Sequence, residues 1–170
     1  MKQRLVYAAA SVAIIALDFV SKQWASARLL TGPDIEIIPG LLRLIYAENP
    51  GIAFSLFNSG AQTTRWLLVS FSAATAVGVA VMAMRALPSE WRTQTICALL
   101  FAGIVGNLID RVQTGRVIDF IDAYVGTAHW PTFNVADSAI SVGAVLLALE
   151  LFRKPAASEA KPAGETTTNL

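Results

Sequence analysis

The chain has 170 residues, of which 55% are hydrophobic and 15% charged, and its mean hydropathy is +0.55. That composition excludes an ordinary soluble domain, and a formal net charge of +1 excludes a nucleic-acid surface or an acidic tail as the basis of function. One histidine and one cysteine leave too few ligands for a zinc site, no H-E-x-x-H run occurs, and Cys97 has no partner for an internal disulfide.

A bilayer core of about 30 Å takes about 20 mostly apolar residues per helix. Leu5 to Trp24 predicts a first span, with Asp18 and Lys22 in its last turns. Four residues apart on a helix, the two share a face and can pair, either as a local ion pair or in support of a site. Lys2 and Arg4 ahead of the apolar stretch, with Ala25-Ser-Ala27 behind it, imitate a cleavable leader. Asp18 and Lys22 stand in the part of such a leader that should be neutral, which argues against cleavage.

Ile35, Ile37, Leu42, Leu44 and Tyr46 approach period two around Pro39-Gly40, which predicts a short β element. It is either a loop packed over the helix ends or a platform facing lipid. Asn49-Pro50-Gly51 reads as a turn before Ile52–Phe57. Trp66 to Met84 predicts a second span free of charge, and about 95–110 a third, ending in Asp110-Arg111. Gly103 and Gly106 let a neighbouring helix come close, and Asn107, Asp110 and Arg111 recur at helical spacing as a polar anchor. Cys97 lies mid-span among apolar neighbours and reads as inert filler. Phe133 to Phe152 predicts a fourth span, holding Asp137 near its start and Glu150 near its end. The expected fold is therefore an all-α membrane protein of four transmembrane helices with a small extracytoplasmic β element. Residues 1–154 form a single domain, and 155–170, rich in Ala, Thr, Glu and Pro, a disordered cytoplasmic tail.

Basic residues set the orientation. Segments 1–4, 85–93 and 153–170 hold Lys2, Arg4, Arg85, Arg92, Arg153, Lys154 and Lys161, a denser set than the six on the opposite side. Both termini are then cytoplasmic, and Asp18, Asp119 and Asp137 fall at the extracytoplasmic rim.

Carboxylates at the border of apolar spans are costly and mark functional sites. Asp119, between Val117-Ile118 and Phe120-Ile121, should be desolvated and suited to proton transfer, but spacing does not choose between it and Asp122. Asn134 and Asp137 read as a capping box at a helix start, a role compatible with catalysis because it fixes the carboxylate's direction. Two carboxylates converging on one site would share a proton and supply both acid and base. A serine nucleophile from Ser55, Ser138 or Ser141 with His129 lacks the G-x-S-x-G elbow. A transporter or proton relay would place polar groups near mid-membrane, whereas Trp66–Met84 offers only Ser70, Ser72 and Thr75.

Four blocks in order, Asp18-Phe-Val-Ser-Lys22, Asn49-Pro-Gly-Ile-Ala-Phe-Ser55, Gly103-Ile-Val-Gly-Asn-Leu-Ile-Asp-Arg111 running on through Gly115-Arg-Val-Ile-Asp-Phe120, and Phe133-Asn-Val-Ala-Asp-Ser-Ala-Ile140, resemble lipoprotein signal peptidase (signal peptidase II), a bacterial membrane aspartic peptidase family. The resemblance implies a catalytic pair at Asp119 and Asp137. It implies that Asn49, Asn107, Arg111 and Asn134 bind substrate or hold the pair, with Asp18, Lys22 and Asp110 in support. It further implies a cofactor-free monomer of the bacterial inner membrane, in contact with membrane lipids. Its substrate would be a prolipoprotein carrying diacylglycerol on a cysteine, cut just before that cysteine. An inactive scaffold of the same fold is the alternative, against which the retention of both acids weighs. Ala102 and Phe19 depart from residues common in the family, and neither touches the pair.

Overall fold

A computed structural model describes residues 2–51 and 61–152. Ile52–Phe57, with Ser55, and the tail 155–170 lie outside the described residues. Helix α1 (Lys2–Leu29) runs to the Gly32-Pro33 break, where proline disfavours helix in the residue before it. Strands β1 (Ile35–Ile38) and β2 (Leu42–Asn49) follow, then α2 (Ala61–Arg85) and α3 (Trp91–Gln113). Strand β3 (Val117–Val125), the two-residue β4 (Ala128–His129) and α4 (Val135–Leu151) complete the order. Among the described residues three helices are long and apolar enough to cross a membrane: Lys2–Leu29, Gln62–Arg85 and Trp91–Gln113. The 17 residues of α4 reach about 26 Å, shorter than a hydrocarbon core of about 30 Å.

α3 is the centre of the helical layer and packs against α1, α2 and α4, whereas among the described elements the backbone of α2 comes within 8 Å (Cα–Cα) of α3 alone. The α3–α4 contact depends on Gly103 and Gly106. A Cβ at Gly103 would lie 2.3 Å from the Ala136 carbonyl oxygen, and one at Gly106 would lie 2.7 Å from Asp18 Oδ2. The first obstacle is backbone and cannot swing aside, so Gly103→Ala is expected to destabilise by about 1–3 kcal/mol. A thermal unfolding midpoint in detergent equal to the parent's would refute this.

The β element is larger than the sequence pattern suggested. β1-β2-β3-β4 form an antiparallel sheet in that order, and the expectation of an all-α chain with one small β element lacked β3 altogether. β3 pairs with β2 through Leu44↔Ile121, Ala47↔Asp119 and Asn49↔Val117, with a register shift between Leu44 and Ala47. Phe120 buries its ring against Ala25 and Leu29 of α1, with Ile35, Leu44, Tyr46, Ile121 and Val135 around it. That contact seats the sheet on the end of the bundle where α1 and α3 finish and α4 starts. The outer edge of the β1–β2 hairpin, Ile37, Ile38 and Leu41, is apolar and exposed. Thus one face of this segment is packed over the helix ends and its tip is exposed. α1 continues unbroken through Ala25–Ala27, and Ala25 is core, so the tripeptide is part of the helix.

Candidate active site

The polar residues singled out in the sequence converge at one end of the bundle, from the last turns of α1 and α3, the first turn of α4, and the paired strands β2 and β3. Lys22 on α1 is 1% exposed. Its ammonium lies 2.7 Å from Asp18 Oδ2 and 2.9 Å from Asp110 Oδ2, and it donates to Asn107 Oδ1 at 3.1 Å. All three of its donors are thereby used. Asp18 Oδ1 accepts from the Ala136 amide at 2.8 Å, which ties α1 to the open N–H groups at the start of α4. Asp110 Oδ2 accepts from the Ile118 amide at 3.3 Å and so fixes the start of β3. The Asp18–Lys22 pair is thus no isolated surface bridge: it is the buried hub that joins three helices and a strand.

Asn107, with its Oδ1 held by Lys22, presents its Nδ2 to Asp137 Oδ1 at 2.7 Å. Asn134 is fully buried. Its Nδ2 donates to Asp119 Oδ1 at 2.7 Å and also approaches Asn107 Oδ1 and the Ile118 carbonyl, each at 3.2 Å. The capping box expected from Asn134 and Asp137 is present: the Asp137 amide donates to Asn134 Oδ1 at 2.9 Å and the Asn134 amide to Asp137 Oδ2 at 3.3 Å. One asparagine therefore holds both carboxylates, Asp119 by its side chain and Asp137 by its main chain. Asn49 Nδ2 donates to the second oxygen of Asp119 at 3.1 Å, and Asn49 Oδ1 accepts from Gly51 N at 2.9 Å. Gly51 takes a φ of +78° there, which glycine alone adopts freely.

Burial, reinforced by the charge of Asp137 and opposed by the hydrogen bonds from Asn49 and Asn134, pushes the Asp119 carboxyl up to about 6. A carboxyl tuned to that range holds or releases a proton near neutral pH, the property an acid–base group needs.

Asp122, the rival to Asp119, projects from the other face of β3. Arg43 Nε donates to its Oδ2 at 2.7 Å, and His129 Nδ1 lies 2.9 and 3.0 Å from its two oxygens. Burial opposes ionisation of Asp122, but His129 and Arg43 together outweigh it and hold the carboxyl below its ordinary value. His129 also stacks on Tyr124 at 5.2 Å between centroids, so this cluster staples β4 and β2 to β3. Its histidine bonds no serine among the described residues, and Ser138 instead donates to the Asn134 carbonyl at 2.9 Å. Asp122→Asn is expected to cost about 1–3 kcal/mol of stability by leaving Arg43 and His129 with a neutral partner; an unchanged unfolding midpoint would contradict it.

Arg111 donates from Nη1 to the Asn107 carbonyl at 3.2 Å. Its Nε is buried with no hydrogen-bond partner among the described residues. It lines a cavity of about 260 Å³ with Asn107, Asp137, Phe71, Ser72 and Ile140, between α2 and α4. Sequence reasoning missed Arg65. Its Nε donates to the Arg111 carbonyl at 2.9 Å and its Nη2 to the Val112 carbonyl at 2.6 Å, so it ties α2 to the end of α3. Its signal was a lone cation at the start of an apolar span, facing a helix C-terminus that favours positive charge.

A buried carboxylate, Asp119, and a half-buried one, Asp137, both held by asparagines at the end of an apolar helical bundle, fit a membrane-embedded aspartic hydrolase in outline. The comparisons make the class specific. A family profile described as signal peptidase (SPase) II matches residues 10–153. The lipoprotein signal peptidase of Serratia proteamaculans is 40% identical over 154 residues, covering 91% of this chain and 90% of that protein. That of Hydrogenovibrio crunogenus is 43% identical over 146 residues, covering 84% and 83%. Two solved bacterial membrane enzymes superpose with TM-scores of 0.73 and 0.79 at 29% and 27% identity, covering 86% and 88% of this chain and 87% and 94% of theirs. The chain belongs to the signal peptidase II family, and it is an aspartic peptidase of the membrane.

Proposed function

We propose that the chain removes the signal peptide from diacylglyceryl-modified prolipoproteins, cutting just before the lipidated cysteine, with Asp119 and Asp137 as its catalytic pair. The observation that carries this reading is the double hold of Asn134 on both carboxylates, since a shared proton requires two acids fixed toward one another. In the active form of the free enzyme the pair carries one proton. The ionised carboxylate takes a proton from water as the oxygen attacks the scissile carbonyl carbon. The protonated one hydrogen-bonds the carbonyl oxygen and stabilises the developing oxyanion. Collapse of the tetrahedral adduct breaks the C–N bond, and a proton from the pair leaves with the amine of the new amino-terminal cysteine. Acid and base are properties of the coupled pair.

In this reading Asn49, Asn107 and Asn134 hold the pair, Arg111 and the cavity beside Asp137 receive substrate, and Asp18, Lys22 and Asp110 support them. α4, extended by its flanking residues to about 133–152, serves as the fourth span. Residues 1–154 act as one domain and one monomer, with both termini cytoplasmic and the pair at the extracytoplasmic face of the inner membrane. A site at the membrane rim suits the substrate: its acyl chains remain in lipid, its signal helix lies along the spans, and its extended scissile peptide meets water.

Cleavage is expected in a gel-shift assay with a diacylglyceryl-modified prolipoprotein in detergent, and not with the unmodified precursor. Equal cleavage of both would overturn the lipid requirement, and no cleavage where a known peptidase of the family cuts would favour the inactive scaffold. Asp122→Asn is the control and should still cleave. The pH profile has a defined sign. Because Asp119 titrates near 6, the singly protonated pair is lost as pH rises through about 6, and kcat/KM should fall on that side. Stability follows the same direction: the folded chain keeps a proton that the unfolded one releases at 3.8, so this contribution is complete below 3.8 and is lost as pH rises to about 6. A kcat/KM flat from about pH 5 to 8 would remove the shifted carboxyl from the mechanism.

A further inference from the structure

A second cavity lies at the opposite end of the bundle from the carboxylate pair. It occupies about 330 Å³ between the first half of α1 and the last turns of α2, over α3, with Tyr7, Ile15, Val79, Ala83 and Phe101 among its walls and Arg4 at its mouth. The backbones of α1 and α2 never come within 8 Å of each other (Cα–Cα) among the described residues, so the groove opens sideways between them. Ala98 on its floor is nine residues, about 14 Å along α3, from Asn107. The groove belongs to neither the carboxylate pair nor its cavity.

We propose that this groove binds an anionic glycerophospholipid of the surrounding bilayer, one acyl chain along the groove and the phosphate at Arg4. Its walls are mostly apolar, and two of their polar side chains are already engaged. Ser11 Oγ already donates to the Ala98 carbonyl at 3.1 Å, and Gln94 Nε2 to the Ala83 and Ala86 carbonyls at 3.1 and 3.3 Å. An apolar groove facing hydrocarbon is filled by hydrocarbon, because an empty one forfeits the contacts of its lining.

Charge selects the headgroup. Arg4 Nη2 donates to the Met84 and Ala86 carbonyls at 3.2 and 3.0 Å, which is the tie from α1 to the end of α2. Its Nε and Nη1 make no hydrogen bond among the described residues and remain for a phosphate, the anion a guanidinium fork fits best. This end of the bundle carries Lys2, Arg4, Arg85 and Arg92 against Glu90 and Glu150 among the described residues. A basic pocket between membrane helices is the form that lipid-headgroup recognition takes. The bound lipid would fill the gap that α1 and α2 leave between them.

The test is native mass spectrometry of the full chain in detergent, with phosphatidylglycerol and phosphatidylcholine of the same acyl chains in competition. Phosphatidylglycerol should be retained about tenfold more, because both lipids offer Arg4 a phosphate but only phosphatidylcholine adds a cation, which the basic cluster repels. Arg4→Gln should erase that preference, Arg4→Lys should keep most of it, and Ala80→Phe, which fills the groove, should displace both lipids. Because Arg4→Gln also removes the tie to α2, the lysine and phenylalanine variants decide the case if it folds poorly. Equal retention of the two lipids, a preference that survives Arg4→Gln, or retention unaffected by Ala80→Phe would each overturn the proposal. Displacement of the lipid by a synthetic signal helix would do so in favour of a peptide occupant.

Discussion

Asp119→Asn and Asp137→Asn are each expected to lower cleavage of a diacylglyceryl-modified prolipoprotein by on the order of a thousandfold, with expression and unfolding midpoint nearly intact. Most of the stability should survive because an amide is the same size as a carboxylate and keeps one of the two acceptor oxygens. The cost is the donor that loses its acceptor, Asn49 Nδ2 at residue 119 and the Asn134 amide at residue 137. The Nδ2 of Asn134 still finds an oxygen on residue 119, and the Asn107 Nδ2 one on residue 137. What disappears is the ability to exchange a proton, since an amide neither accepts one from water nor donates one to a leaving amine at neutral pH. The two losses should not add. Removing either acid disables a unit that works as a pair, so the double variant should be about as slow as either single one. Cleavage retained in Asp119→Asn together with its loss in Asp122→Asn would move the site to the other face of β3. Retention in all three would place the chemistry on other residues, whereas absence of cleavage by the native chain is the result that would return it to a binding scaffold.

How far the sequence carried can be judged residue by residue. The long helices were legible because lipid-facing apolar runs leave little room for another reading, and predicted boundaries differ from observed ones by a few residues where polar ends continue the helix, as at Ala61 and Leu29. The Asn134–Asp137 cap was legible because capping is local. β3 was not. Val117-Ile-Asp-Phe-Ile-Asp-Ala-Tyr-Val125 is rich in β-branched and aromatic residues, but its two acids drew the reading toward chemistry, and its partner β2 lies more than sixty residues earlier in the chain. The choice between Asp119 and Asp122 needed that strand, since period two sends the two side chains to opposite faces. The convergence of Lys22, Asn107 and Asn134 was beyond any local rule. It depends on how α1, α3 and α4 pack, and the glycines at 103 and 106 hinted at closeness without giving the partners. Family resemblance supplied the names of these residues, and the packing supplies a physical reason for each.

Lys22→Met is expected to be the most damaging single change to the fold. The ammonium is the only cation within bonding distance of Asp18 and Asp110 among the described residues, and both carboxylates are buried. Replacing it by a thioether of similar length leaves two acids desolvated without a counter-charge, a loss of about 3–5 kcal/mol against a total stability of about 5–15 kcal/mol. The damage should also reach the catalytic pair, because Asn107 loses the donor that orients its amide toward Asp137. Lys22→Arg should rescue little: a planar guanidinium does not fit three acceptors arranged around one ammonium. The mechanism makes a further demand. Once Lys22 is methionine, Asp18→Asn should recover part of the lost stability, although in the native chain the same substitution destabilises. Unfolding midpoints for the two singles and the double therefore form a cycle whose coupling should be several kcal/mol. Additive effects would mean that the ammonium and carboxylates act independently, and that Asn107 is held by packing alone. Strong coupling with cleavage restored only when both charges are present would instead make the ion pair the element that aligns Asn107, and through it Asp137, for proton transfer.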